Sequence, residues 1–258
     1  MTGTPLDHWI RSVPKENGVH VAAPKSLFAT LRDEVRVAEN KVLTDEQVAN
    51  LPDGEDLWNA EEWRNRARSA RRLVHALEAM GGPLVILDVY CGNGWLANLL
   101  YQQGHEVLGI DESTLVLDQA VRTFPGPYFL RADPLHSDLP KGMFDVIVLA
   151  GRLQYFENAT ATLRHCFNLL KTDGAIHIMD TVLHHSRTEA DAAKARCIAH
   201  HSALGFPEMA SFCHAHRLAD VQAAGKCRVL STPGGEDHQL ARFGRPASPH
   251  THLVLYPQ

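Results

Sequence analysis

No two of the five cysteines stand in a C-x-x-C arrangement; they fall at 91, 166, 197, 213 and 227 of 258 residues. An odd count so widely spread argues for reduced thiols and against a disulfide framework. Long apolar runs are missing as well. The longest, such as 84–87 and 144–150, fall far short of the ~20 residues that span a bilayer. The first fourteen residues, which include Asp7 and His8, hold no continuous apolar stretch of the secretory kind. Charge of one sign is also scarce: 25 Lys and Arg against 30 Asp and Glu leave a formal net charge of −5. No basic surface dominates, so nucleic acid is a poor default partner. Neither an internal repeat nor a low-complexity segment is visible. The expectation is a soluble, cytoplasmic protein with no membrane and no nucleic-acid partner.

What is plentiful is apolar. Hydrophobic residues make up 45% of the chain, enough to close one full α/β core with a substantial extension. Histidine is the other excess, at sixteen residues; protonation near an unperturbed pKa of about 6.5 would swing the net charge positive.

Residues 1–83 are charge-rich and helical in pattern. Thr44 and Gln47 have the spacing of a capping box, opening a short helix that Pro52 closes. A longer helix is predicted over about 56–80, with Leu57, Trp63, Ala70, Leu73 and Leu77 on one face and Gly81, Gly82 and Pro83 to stop it. The arginines at 64, 66, 68, 71 and 72 alternate with that face and read as solvated. From 84 to about 180, strands are predicted at 84–88, 105–111, 128–132, 144–150 and 175–180, with helical patterns between them. That interval means a parallel, doubly wound sheet. Beyond 180, helices are predicted at 188–204 and 218–224, then two closing strands at 226–231 and 252–256 joined by a long polar loop.

The informative stretch is Ile86-Leu-Asp88-Val89-Tyr90-Cys91-Gly92-Asn-Gly94-Trp-Leu-Ala97. A strand that runs into small residues and then a helix lets backbone approach a ligand, and the helix N-terminus offers free N–H groups to an anion. Two cofactors compete for this pattern. A dinucleotide would read Gly92-x-Gly94-x-x-Ala97 as its fingerprint, with Asp111 on the ribose. Asp88 decides between them: a carboxylate at the end of the first strand would repel pyrophosphate, yet suits a ligand with an ammonium group, such as S-adenosylmethionine.

With Asp88, Gly92, Gly94, Gly109-Ile-Asp111, Ala132-Asp133, Phe144-Asp-Val-Ile-Val and Leu170-Lys-Thr-Asp-Gly174 in order, the chain resembles the class I S-adenosylmethionine-dependent methyltransferases. The resemblance covers roughly residues 85–180 and is nearest to the small-molecule enzymes related to quinone-biosynthesis methylases. It implies a Rossmann-like, seven-stranded, mostly parallel sheet with one antiparallel closing strand. It also implies a cofactor site. Asp88 with Val89, Tyr90, Cys91, Gly92 and Gly94 would hold the methionine end; Asp111, with Glu112 beside it, would grip the ribose; Ala132 and Asp133 would meet the adenine; and Ala150, Gly151 and Arg152 would lie beside the sulfonium. Tyr90 departs from the family, which has glycine there. It either closes over the methionine portion or is a plain replacement at a position needing no positive φ.

The acceptor side is expected at the carboxyl ends of strands four and five and in a helical insertion over about 183–224, capped by residues 1–83; residues 84–258 would form the methyltransferase domain. A general base with a pKa near neutrality would serve an oxygen nucleophile. His184, His185, His214 and His216 are candidates, with Tyr155 for substrate orientation. Cys213-His214-Ala-His216, with His200-His201 or His184-His185 elsewhere, has zinc-ligand types, but the spacing matches no standard zinc pattern, so no metal is expected. A small-molecule acceptor fits best. A non-catalytic cofactor-binding protein and an NAD(P)-dependent oxidoreductase remain as other readings.

Overall fold

A run such as Val85-Ile-Leu-Asp-Val89 can bury both of its faces only inside a sheet covered on both sides. In a computed structural model of the protein, which describes residues 3–135, 138–232 and 250–257, this run is the middle of such a sheet. In chain order, α1 (Pro5–Arg11), β1 (Lys15–Glu16), β2 (Val19–Val21), α2 (Leu27–Ala38), α3 (Asp45–Ala49) and α4 (Ala60–Glu78) precede it. Then β3 (Val85–Val89), α5 (Trp95–Gln102), β4 (Glu106–Asp111), α6 (Thr114–Thr123), β5 (Tyr128–Arg131), β6 (Phe144–Ala150), α7 (Ala159–Leu169) and β7 (Leu170–Thr181) alternate. Finally come α8 (Arg187–Ala203), α9 (Leu218–Gln222), β8 (Lys226–Ser231) and β9 (Thr251–Tyr256), with short 3-10 turns at Leu153–Tyr155 and Pro207–Phe212.

The strand order is β1-β2-β5-β4-β3-β6-β7-β9-β8. From β5 to β7 neighbours are parallel, and β9 lies antiparallel between β7 and β8. These seven strands are the expected doubly wound sheet. Side chains alternate across it as the pleat requires: Leu87, Val89, Ile147 and Leu149 enter one core layer, and Ile86, Val146 and Val148 the other. The polar loop expected between the closing strands lies outside the described residues.

The first eighty residues differ most from expectation. The capping box is present, with Thr44 Oγ1 accepting from Gln47 N and Gln47 Oε1 from Thr44 N. But β1 and β2 form a hairpin that pairs with β5 in parallel and extends the sheet to nine strands. Leu6 and Ile10 of α1 are fully buried in the same layer as Leu87 and Leu108. This segment is joined to the sheet by backbone pairing that two- and three-residue strands do not advertise as periodicity.

A second difference concerns the thiols. Cys197 and Cys213 are joined in a disulfide with Cα atoms 5.9 Å apart. Sixteen residues separate them in sequence, and they meet because the Pro207–Phe212 turn folds back on α8. Cys91, Cys166 and Cys227 are free. Among the described residues, no helix is long and apolar enough to cross a membrane.

Candidate active site

Parallel strands end together, so the loops after β3, β6 and β7 share one edge of the sheet, where a crevice forms. Here it is a chamber of about 470 Å³, walled by α2, α4, the end of β6, Asp180 at the end of β7, and the last turn of α8. A recess of about 20 Å³ shares Arg66, Trp95, Ala150, Arg152 and Asp180 with the chamber and reaches Asp88, Tyr90 and Cys91.

Asp88 faces this recess at 2% exposure, and its Oδ2 has no hydrogen-bond partner. Burial pushes its carboxyl up to about 7, against the pull of Arg152. An unsatisfied buried acceptor is costly unless a donor arrives. Beyond it the turn depends on glycine. Gly92 has φ +60, with an added Cβ 3.2 Å from Arg152 Nη2; Gly94, at φ +78, begins α5, and a Cβ there would stand 2.6 Å from Phe129. This cradle fits a ligand with an ammonium group beside Asp88 and a carboxylate towards Arg152 and the turn.

Tyr90 does adopt a positive φ, +53, where a residue other than glycine is uncommon. The reading of a plain replacement at an ordinary backbone position is therefore overturned. Its hydroxyl donates to Glu112 Oε1 at 2.7 Å, and its ring packs edge-on against Phe28 and Tyr155 at 5.9 and 5.7 Å. Asp111 is fully buried. Oδ2 accepts from Gly92 N at 3.0 Å, Oδ1 from Glu112 N and Ser113 N at 2.9 and 3.0 Å, and Arg32 Nη1 lies 3.6 Å away. Burial would raise its pKa, but Arg32, Arg36 and Arg152 outweigh that and hold it low. Asp111 thus ties the β4 end to the glycine turn. Asp133 is half-buried and accepts from Leu135 N, while Val89 and Ala132 are buried. Asp111, Glu112, Ala132 and Asp133 do not line the chamber.

Gly92, Ala150, Gly151, Arg152 and Tyr155 do. Tyr155 lies among cations, with the Arg32 guanidinium 4.5 Å and that of Arg152 5.9 Å from its ring centre. Burial favours its neutral phenol, but Arg32, Arg152 and Arg36 outweigh it, and its pKa falls to about 7. The arginines repel one another in turn: burial, then Arg32, push Arg36 down to about 10. Arg66 donates to Glu62 and stacks on Trp63 at 4.6 Å, so it is a wall residue and not the solvated side chain its position suggested.

The four histidines expected near the acceptor are elsewhere. His216 is buried, with Nε2 3.0 and 2.9 Å from the carbonyls of Leu153 and Phe156. It pins the turn that carries Tyr155. His184 is half-buried and bridges to Arg217, His185 is exposed, and His214 is half-buried. None of the four lines the chamber, because the chain after β7 turns towards residue 217 before α8 returns. His200, His201 and His250 line it instead, together with Arg32, Arg36 and Asp180. His200 and His201 occupy the last turn of a helix with little apolar patterning, and α2 precedes every motif of the nucleotide-fold pattern; the sequence carries no signal that aims either at the crevice.

Residues 86–174 match a protein family described as a methyltransferase domain. Among curated proteins, the chain is 30% identical over 97 residues to a ubiquinone biosynthesis O-methyltransferase of Pseudomonas fluorescens, a match spanning 35% of this chain and 41% of that one. It is 31% identical over 96 residues to the protein of that name from Azoarcus sp.. The chain therefore covers about two fifths of the length of these relatives. Among solved structures, a geranyl diphosphate C-methyltransferase from Streptomyces coelicolor superposes with a TM-score of 0.59 at 13% identity, covering 90% of this chain and 98% of that one. A magnesium protoporphyrin IX methyltransferase from Synechocystis gives 0.55 at 17% identity, covering 88% and 100%. At these identities the two structures share the fold.

Proposed function

We propose that this chain, which carries a class I S-adenosylmethionine-dependent methyltransferase domain, methylates a hydroxyl of a small molecule bound in the chamber between α2, α4 and α8. The observation that carries the reading is the unpartnered Asp88 Oδ2, buried in the recess that opens off the chamber. When bound, S-adenosylmethionine supplies an electrophilic methyl on a sulfonium sulfur. Asp88 accepts from the ammonium group, and the Gly92–Gly94 turn with Arg152 receives the carboxylate. Asp111 acts on the ribose side by holding the turn and β4 in register, with the grip on the hydroxyls requiring its bonds to Glu112 N and Ser113 N to be shared. By the family resemblance, Ala132 and Asp133 would flank the adenine.

On the acceptor side, Tyr155 takes the proton. A base poised near the working pH is what a neutral hydroxyl needs, and the guanidinium groups around Tyr155 stabilise negative charge on either the phenol or the acceptor oxygen. The relatives' name as O-methyltransferases supports an oxygen acceptor, and a chamber of about 470 Å³ supports a small one.

Calorimetric titration with S-adenosylhomocysteine tests the reading. The wild-type chain binds, and Asp88→Asn, which retains the volume but loses the charge, weakens binding by about tenfold or more, as expected for a buried charge-assisted hydrogen bond worth roughly 1.5–3 kcal/mol. Folded protein that ignores this ligand and binds NADH instead would sink the proposal.

A further inference from the structure

Outside the cofactor cradle, one cluster of metal-ligating side chains stands out among the described residues. Cys197 Sγ, Cys213 Sγ and an imidazole nitrogen of His201 all lie within 4.8 Å of one another. Cys197 and His201 sit four residues apart on α8 and so share one face of that helix. Cys213 follows the Pro207–Phe212 turn and is 1% exposed. Of the ligands that the sequence offered, the fold gathers Cys213 and His201; His214 and His216 contribute nothing, and Cys197 comes in from sixteen residues away.

We propose that Cys197, His201 and Cys213 form, in the reduced chain, a binding site for a zinc-type divalent metal. The donor set is two sulfurs and one imidazole, a combination that zinc takes up readily. Bonds of about 2.3 Å to sulfur and about 2.0 Å to nitrogen set tetrahedral donors roughly 3.5–3.8 Å apart. Opening the disulfide frees the two sulfurs to separate to that spacing, and all three donor atoms already lie within 4.8 Å of one another. Linking the sulfurs as a disulfide satisfies two of the three residues but leaves His201 Nδ1 buried with no hydrogen-bond partner.

The site has a structural reason to exist. Of the seventeen residues of α8, only Ala190 is buried, so hydrophobic packing supplies little to fix the helix. A metal at its last turns would anchor it to the Pro207–Phe212 segment. Because His201 also lines the chamber, the metal's fourth position, left open by three protein ligands, would lie at the chamber wall. The chemistry balances simply. A phosphine or thiol reductant converts the disulfide to two thiols, and the metal then binds both as thiolates with release of two protons.

Cobalt(II) titration of the full chain, purified without a histidine tag and held under a phosphine reductant without oxygen, tests this independently of any methyl-transfer activity. The expected result is a near-ultraviolet thiolate-to-cobalt charge-transfer band that saturates at one cobalt per chain and disappears on adding zinc. Cys213→Ser abolishes the band, His201→Ala weakens binding by about tenfold or more, and Cys227→Ser changes nothing. The oxidised chain gives no band. Circular dichroism confirms that each variant is folded, and His201→Ala retains both cysteines should Cys213→Ser fail to fold. A reduced, folded chain with free thiols and no band overturns the proposal. So does a band that survives both Cys213→Ser and His201→Ala.

Discussion

Asp88 lies in the recess and Tyr155 in the chamber that it opens from, and their surroundings push them in opposite directions. Asp88 is buried with an unmet acceptor and tends towards its neutral form. Tyr155 is fenced by Arg32, Arg152 and Arg36 and tends towards its anion. Two titratable groups driven apart in this way are the mark of divided roles in a site. The effect on Tyr155 is directly observable. Tyrosinate absorbance followed against pH should show one phenol ionising at about 7 in the wild-type chain, and Tyr155→Phe should remove that step while leaving the ionisation near pH 10 of ordinary tyrosines. A wild-type chain with no tyrosinate signal below about pH 9 would exclude Tyr155 as a base. Asp88 was legible in the sequence because its chemistry follows from its place before the glycines. The arginine fence was not, since Arg32 and Arg36 lie on a helix more than a hundred residues upstream of Tyr155.

Among the secondary-structure elements, the β7–β9 pair carries an acid-sensitive feature. His177 Nδ1 lies 3.1 Å from His252 Nε2, both residues are buried, and both pKa values are lowered. Burial takes His177 to about 4, and burial reinforced by His177 takes His252 to about 3. Both are neutral in the fold and regain an ordinary affinity for protons when it opens. The unfolded chain thus binds more protons below about pH 6.5, and the stability contributed by the neutral pair is lost as pH falls from there towards about 4. His252→Gln should therefore lessen the drop in Tm between about pH 7 and pH 5, measured by thermal denaturation at each pH. Equal slopes for variant and wild type would show that the pair does not control this limb. Both strands are legible in the sequence, but their contact is not: seventy-five residues separate the two rings.

Taken together, the chain has one continuous pair of core layers on the two faces of its sheet, and residues 3–22 belong to it. Leu6 and Ile10 share a layer with Leu87 and Leu108, β2 pairs with β5, Tyr128 donates to Asp7, and Thr4 bonds to Glu106. Calorimetry should accordingly show a single unfolding transition. Leu6→Ala should cost about 2–5 kcal/mol, as for other fully buried leucines, and deletion of residues 1–22 should abolish the cooperative transition. Two separated transitions, or a deleted chain that melts like the parent, would mean that the N-terminal segment is a detachable cap. The strands and helices from 84 to 256, the parallel sheet and the Asp88–Gly94 turn follow from the sequence alone, because periodicity, glycine placement and capping act over a few neighbouring residues. The tertiary structure alone decided which side chains face the crevice. His184, His185, His214 and His216 gave way to Tyr155, the arginines of α2 and the end of α8, and Cys197 met Cys213 and His201. The physical reason is that convergence on a site is set by how helices cross the sheet, and a pattern of residue types within one segment contains no information about the segment opposite.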